Sequence, residues 1–349
     1  MSQEKNITIS DVAEALGVSK TTVSRAISGK GRIGEETRNR VFAYIKEHNY
    51  KPNVIAKGLA QSKTFNLCVV MPGDYALVDL PFFQEALIGI HQEAGKSEYD
   101  ILLCICQEDD ITALKRIVEN RKVDGVILLR TFVNDAQVAF LAEQNIPFAA
   151  AGTLEAEMAL QVDHDHEKAC RDLVRYILSG RLPQMPKLIF LGGEETIVVN
   201  EKRIRGIRRA YDELGIPFAE EQLFKNLTSD DEIGRIVRQA AAGGVDGLIC
   251  MDDAICTCVL QKLQQISVRI PEQMMIASFY DSPVLRNNNP SVTAISFPAR
   301  ELGAVCCRQL LRRINQEPSE RRILLPFEIH FRKSTDVACK RGKNGQEIS

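Results

Sequence analysis

The chain has 349 residues, 45% hydrophobic and 26% charged, with a formal net charge of −2; this exceeds the roughly 100–200 residues of one domain and predicts a small module plus a larger body. No stretch approaches the roughly 20 apolar residues that cross a bilayer, and the start MSQEKNITIS lacks the basic then apolar pattern of a secretory leader, so a soluble, cytoplasmic protein without a membrane partner is expected. The ten cysteines form no CxxC pair and sit mostly in apolar runs, as at Cys68, Cys104, Cys106 and Cys250, which reads as reduced core thiols.

Charge is unevenly spread. Residues 1–64 hold eleven Lys or Arg against six Asp or Glu, and the remainder holds 33 against 40. A basic head on an acidic body suits a polyanionic partner, although an ordinary solvated face gives a similar imbalance.

Thr8, with Asp11 three residues on, predicts a capped helix start, and Val12, Ala13, Ala15 and Leu16 give it an apolar stripe until Gly17. Gly17 supplies the positive φ of a tight turn, Val18 packs inside it, and Ser19 caps a second helix running to about Ile27. On that second helix Val23, Ala26 and Ile27 face inward, whereas Lys20, Thr21, Ser24 and Arg25 fall outside with short-reach donors. Such a helix either lies in a DNA major groove or is a polar surface helix, and the pattern by itself leaves both open. A third helix is predicted from about Glu35 to His48, with Val41, Phe42, Tyr44 and Ile45 closing a three-helix core.

The segments TISDVAEALGVSKTTVSRAISG and NYKPNVIAKGLAQSK together resemble the DNA-binding region of the LacI/GalR family of bacterial transcription regulators, without gaps over about 60 residues. The resemblance implies base reading at Lys20 and Thr21, with Ser24 and Arg25 on the same face. It implies further DNA contacts from Thr8, Ser19, Thr22, Ser28, Arg32, Asn53 and Lys57. Ser28 stands where many members carry Asn, which implies a weaker contact there. The segment Asn53 to Gln61 corresponds to the family's hinge helix, ordered on operator DNA, with Leu59 at the position that wedges into the minor groove.

Beyond residue 65, NLCVVMP, DILLCIC, DGVILLR, PFAAAG, KLIFLGG, DGLICM, MMIASF and TAISF alternate with helical patterns and read as buried parallel strands covered by helices on both faces. The organisation from Lys187 onward repeats that from Asn66 onward, which predicts two similar α/β lobes with a ligand cleft at the strands' carboxyl ends. The motifs VDGVILLR, RIRGIRRAYDELGI, GLICMDDAICTCVLQ, VRIPEQMMIASFYDS and PFEIHFRKST resemble the same family's sensor region, related to periplasmic sugar-binding proteins.

The implied fold class is a small all-α helix-turn-helix head with a hinge helix, plus an α/β two-lobed periplasmic-binding-protein-like sensor with parallel sheets. The implied boundaries are 1–52 for the head, 53–64 for hinge and linker, 65–338 for the effector-binding and dimerisation body, and 339–349 for a polar tail.

Within the body, Arg203 matches the family arginine that grips a ligand, its planar fork suiting a hydroxyl or carboxylate. Asp252 and Tyr280 stand where sugar-binding members use other residues on ligand hydroxyls, so the effector is not assumed to be a simple sugar; Tyr280 either stacks on a ring or fills the cleft. Asp74 and Phe83 are further cleft candidates, Phe83 being equally a core residue, and Asp165 in VDHDHEKA is the best match to a cleft acid, with Asp163 two residues away.

His164 and His166, or Cys256 and Cys258, lack the spacing of a zinc site, and the chain carries no P-loop, GxSxG or strand-linked GxGxxG. The expectation is a non-enzyme without metal or cofactor. It is a repressor by default, a homodimer on a near-palindromic operator with further pairing to tetramers left open, controlled by a carbohydrate-related small molecule. Two alternatives remain: a regulator whose degenerate cleft has given way to a protein co-regulator, and a stand-alone carbohydrate-binding module, which the head and the missing leader oppose.

Overall fold

The computed structural model of the protein describes residues 7–28, 32–48, 50, 58, 61–73, 81–154, 159–180 and 185–336. The chain divides into two compact units, Met1–Thr64 and Phe65–Ser349.

The first unit is built on α1 (Ile9–Leu16), α2 (Lys20–Ser28) and α3 (Glu35–Glu47). The start of α1 is fixed by a reciprocal cap: the Thr8 backbone N–H donates to Asp11 Oδ2 at 2.7 Å while the Asp11 N–H donates to Thr8 Oγ1 at 3.4 Å. Gly17 ends it at φ 64°, a left-handed conformation that suits glycine. Arg40 of α3 donates to the Leu16 carbonyl at 3.1 Å, bringing positive charge to the carbonyl end of α1. Val12, Ala13, Val23, Ala26, Val41 and Tyr50 form the buried core. Phe42, expected in that core, is instead 47% exposed; the roughly 100° step on from the fully buried Val41 carries it to the solvent side of α3.

Among the described residues the second unit holds two six-stranded sheets. The first has the order β11-β5-β4-β3-β1-β2 and the second β12-β10-β9-β8-β6-β7; every pair is parallel except β10 with β12. Strands of the first sheet are β1 (Asn66–Pro72), β2 (Asp100–Cys106), β3 (Gly125–Leu128), β4 (Phe148–Ala151), β5 (Leu160–His164) and β11 (Arg322–Leu325). Those of the second are β6 (Leu188–Leu191), β7 (Leu223–Phe224), β8 (Gly247–Cys250), β9 (Met275–Ser278), β10 (Thr293–Ser296) and β12 (Glu328–His330). All eight strands expected from the sequence are present. The four not anticipated, β5, β7, β11 and β12, are short or carry polar residues, so their hydrophobic signal is weak.

Helices α4 (Pro81–Gly95), α5 (Thr112–Glu119), α6 (Ala136–Glu143) and α12 (Ala299–Ile314) cover the first sheet. The second is covered by α7 (His166–Leu178), α8 (Val198–Glu213), α9 (Asp230–Ala242) and α10 (Asp253–Gln265), with the short α11 (Pro283–Asn287) beside α10. Helices α4 and α12 approach so closely that a Cβ on Gly89 would sit 1.9 Å from the Arg300 carbonyl oxygen, so glycine there is a packing requirement.

DILLCIC does not form a buried strand as expected. Strand β2 lies at the edge of its sheet, and Leu103 and Ile105 are 46% and 49% exposed because none of the described residues covers that face.

The chain crosses between the lobes three times, between β5 and α7, between β10 and α12, and between β11 and β12. His164 ties the first crossing to the third, its Nδ1 lying 3.3 Å from the Leu325 carbonyl and 3.0 Å from that of Pro326. The rings of His164 and His166 both pack on Phe297 of the second crossing, with centroids 4.9 and 4.4 Å away.

Candidate functional site

The outer face of α2 is polar and basic. Lys20, Thr21, Ser24 and Arg25 are exposed along it, opposite the buried Val23 and Ala26. Ser19 caps the helix, its Oγ accepting from the Thr22 N–H at 3.1 Å and meeting the Thr22 hydroxyl at 2.9 Å. Ser19 and Thr22 therefore shape the turn, and Thr8 is likewise committed to the cap of α1. Arg32 is exposed just before α3. The Ser28 side chain, Asn53, Lys57, Leu59 and Asp74 lie outside the described residues.

In the second unit a cavity of about 160 Å³ opens between the lobes. The first lobe contributes Phe82 and Phe83 at the start of α4, Arg130 and Thr131 after β3, Thr153 after β4, and Asp163. From the second come His166, Asn200 and Arg203, Asp252 and Asp253 after β8, Tyr280 after β9, and Phe297. The parallel strands end here, where α/β folds collect their ligand-binding loops.

Arg203, only 8% exposed, sits on α8 three residues after Asn200 and donates through Nη1 to the Asn200 Oδ1 at 3.1 Å. Its Nε is buried without a hydrogen-bond partner among the described residues. Asp252 caps α10, accepting from the Ile255 N–H at 2.8 Å. Burial raises its carboxyl above the ordinary range against the pull of that bond and of Arg203. Burial, reinforced by Asp252, pushes the carboxyl of neighbouring Asp253 up to about 6. The Tyr280 ring stands edge-on to Phe82, which stands edge-on to Phe83, with centroids 5.7 and 5.4 Å apart.

Asp163 is the buried acid of the cleft. It accepts from Lys202 Nζ at 2.7 Å, from Thr153 Oγ1 at 2.9 Å and from its neighbour His164 N at 2.8 Å, with His166 Nε2 at 3.3 Å. Burial opposes its ionisation, but His166 and Lys202 outweigh burial and hold the carboxyl well below the usual range. Asp165, the acid named first from sequence, instead caps α7 by accepting from the Lys168 N–H at 2.9 Å and does not line the cavity. The change from strand to helix falls between these two acids and turns them apart.

The structure thus brings Phe83, Arg203, Asp252 and Tyr280 together around one cavity. Sequence reasoning missed Phe82, Asn200, His166 and Asp253. Asn200 was findable from its spacing before Arg203, whereas His166 was weighed only as a metal ligand. Among the described residues no group of three His, Cys, Asp or Glu is placed to hold a metal.

A helix-turn-helix with a basic outer face, followed in the chain by a two-lobed α/β body of the periplasmic-binding type, defines a DNA-binding transcription regulator. The model of bacterial regulatory proteins of the lacI family matches residues 8–53, and that of the periplasmic binding protein-like domain matches 184–335. Catabolite control protein A of Streptococcus mutans serotype c (strain ATCC 700610 / UA159) is 30% identical over 340 residues, covering 96% of this chain and 100% of that protein. The chain belongs to the LacI family of bacterial regulatory proteins.

Among solved structures, the lac repressor dimer bound to operator and the anti-inducer ONPF superposes with a TM-score of 0.76 at 21% identity, covering 95% of this chain and 99% of that one. A complex of the transcriptional regulator CelR with cellobiose gives 0.70 at 23% identity, covering 94% and 99%. These proteins are regulators rather than enzymes, and no described helix is long and apolar enough to cross a membrane.

Proposed function

We propose that this chain is a non-catalytic cytoplasmic repressor that binds a near-palindromic operator as a homodimer and is controlled by a carbohydrate-related small molecule held between its lobes. The observation that carries the control step is the cleft: both lobes line it, and the largely buried Arg203 is part of its wall, its Nε without a partner among the described residues. A ligand seated there contacts both lobes at once, so its affinity differs between their arrangements, which is the requirement for a ligand to shift a conformational equilibrium.

On the DNA side, phosphate contacts from the basic head supply salt-dependent affinity. Lys20, Thr21, Ser24 and Arg25 supply sequence preference from the exposed face of α2. Pairing of two copies is supported by the uncovered Leu103 and Ile105 of β2, with Ile88 of the adjacent α4 also exposed. A formed cavity of this kind also favours a small effector over a protein co-regulator acting in its place.

The test is a thermal-shift screen of the purified protein against mono- and disaccharides, sugar acids, sugar phosphates and nucleosides, followed by operator binding with and without each hit. Stabilisation that grows with ligand concentration, together with altered operator affinity, is the expected result. Hits that leave operator affinity unchanged, or that bind equally well to Arg203→Ala, remove the cleft from the control step.

A further inference from the structure

We infer that the lobes of this chain latch onto each other through its own residues, so that the effector works by prising them apart and releasing the operator, as an inducer rather than a corepressor. The inference rests on the cleft being the effector site.

The latch is a backbone contact between the lobes. Phe132, in the loop after β3, and Ile197, just before α8, form an antiparallel β-bridge. In it the Val133 N–H donates to the Thr196 carbonyl at 2.8 Å, and the Val198 N–H donates to the Thr131 carbonyl at 3.1 Å. Thr131, Phe132 and Ile197 are all buried. Beside the bridge, Thr196 Oγ1 donates to Glu108 Oε2 of the first lobe at 2.9 Å. The Lys202–Asp163 pair and the edge-on contact of Phe82 with Tyr280 also join one lobe to the other.

These contacts are independent of the hinge. Strand β3 lies two strands from β5 in its sheet, so the bridge stands roughly 10 Å from the nearest crossing. Backbone groups pair in this way only at strand spacing, and a rotation of the lobes about the crossings therefore breaks the bridge.

The direction of control follows from population arithmetic. A ligand shifts an equilibrium only by preferring one arrangement over the other. Where the chain's own bonds already hold the lobes together, a preference for that arrangement has little left to shift, and only a preference for the parted lobes changes the populations. Size agrees with this. The cavity of about 160 Å³ is smaller than the roughly 300–1,000 Å³ of small-molecule sites, so the bridged arrangement is cramped for a ligand.

The test places a cysteine pair at the bridge of the full chain with Phe132→Cys/Ile197→Cys. These two residues face each other without sharing its hydrogen bonds, which in antiparallel strands sets the Cα atoms about 4.5 Å apart, inside the roughly 4.4–6.8 Å span of a disulfide. With oxidised glutathione alone the introduced pair should cross-link to completion, read by peptide mass mapping. The locked chain should hold a duplex obtained by in vitro selection within about twofold of its reduced form. In wild type, hydrogen exchange at 131–133 and 196–198 should be about tenfold or more slower than in an unstructured chain, a readout that depends on no variant folding. Glucose, cellobiose, trehalose, gluconate, glucose 6-phosphate and adenosine are then added. A compound that stabilises wild type should release its duplex and slow cross-linking by about tenfold, and should leave the locked chain on the duplex.

Unprotected bridge amides in wild type, or a locked chain that loses the duplex, overturns the latch. A stabilising compound that speeds cross-linking or tightens duplex binding overturns the opening. If a compound releases the duplex from the locked chain but not from Arg203→Ala, the inference falls and the cleft reading stands. If it releases the duplex from Arg203→Ala as well, or if none of the six stabilises wild type, the cleft reading falls and the inference with it.

Discussion

Lys202 and Asp163 belong to opposite lobes, and the Lys202 Nζ lies 2.7 Å from the Asp163 carboxylate with both side chains largely buried. The pair joins α8 to β5 across the cleft floor, and removing one partner leaves the other charge uncompensated. Lys202→Met is expected to cost about 3–5 kcal/mol of stability, measured by urea unfolding. Because the Asp163 pKa is depressed in the folded state, its contribution is complete above the unfolded carboxyl value and is lost as pH falls below it. The wild type should therefore lose its advantage over Lys202→Met only under strongly acidic conditions.

Asp253 behaves in the opposite sense. Its carboxyl is raised to about 6 by burial and by Asp252, so the folded state takes up this proton before the unfolded state does. The ionised form is therefore a liability that is full above about 6 and fades as pH falls from there toward the unfolded carboxyl value. Asp253→Asn is expected to raise Tm at pH 7 and to give a smaller gain at pH 5; comparing variant with wild type cancels the opposing titration of the buried histidines. An equal gain at both values would show that its charge is not the cause.

The exposed face of α2 makes a separable prediction. Arg25→Ala is expected to weaken binding to a duplex obtained by in vitro selection by about 1–3 kcal/mol while changing random-sequence binding much less. Fluorescence anisotropy over a salt series distinguishes this from a lost phosphate contact, which lowers both affinities alike and flattens the salt dependence.

Leu103 and Ile105 present an apolar edge that none of the described residues covers. Leu103→Glu is expected to shift sedimentation from dimer to monomer without lowering the Tm of the isolated protomer, because the residue is 46% exposed there. A monomeric wild type, or a dimeric variant, would move the pairing surface elsewhere.

Gly89 has no room for a methyl group against the Arg300 carbonyl. Gly89→Ala should therefore cost about 1–3 kcal/mol or more by forcing α4 and α12 apart, readable as a lowered urea midpoint.

The head was legible in the sequence almost residue by residue. Thr8, Asp11, Gly17 and Ser19 act within a few positions of themselves, so caps and a turn fix α1 and α2 with little help from elsewhere. The apolar runs located eight strands for a comparable reason: a strand covered on both faces leaves a continuous hydrophobic signal. Burial was less readable. DILLCIC carries the same signal as its neighbours, but its place at the sheet edge depends on strand order, which is a property of the whole topology.

The cleft divides along the same line. Arg203, Asp252 and Tyr280 were found because each lies in a motif that resembles the family's sensor region, the first on a helix and the others just past strand ends. What the sequence determined by itself was therefore the head, the alternation of strands and helices, and the candidates that the resemblance of its motifs exposes. The tertiary structure decided that Asp163 rather than Asp165 enters the cavity, that Lys202 meets it from the other lobe, and that His166 and Arg203 share one wall. The physical reason is that the chain crosses between lobes three times, and the contacts these crossings create join residues far apart in sequence through geometry that no local pattern encodes.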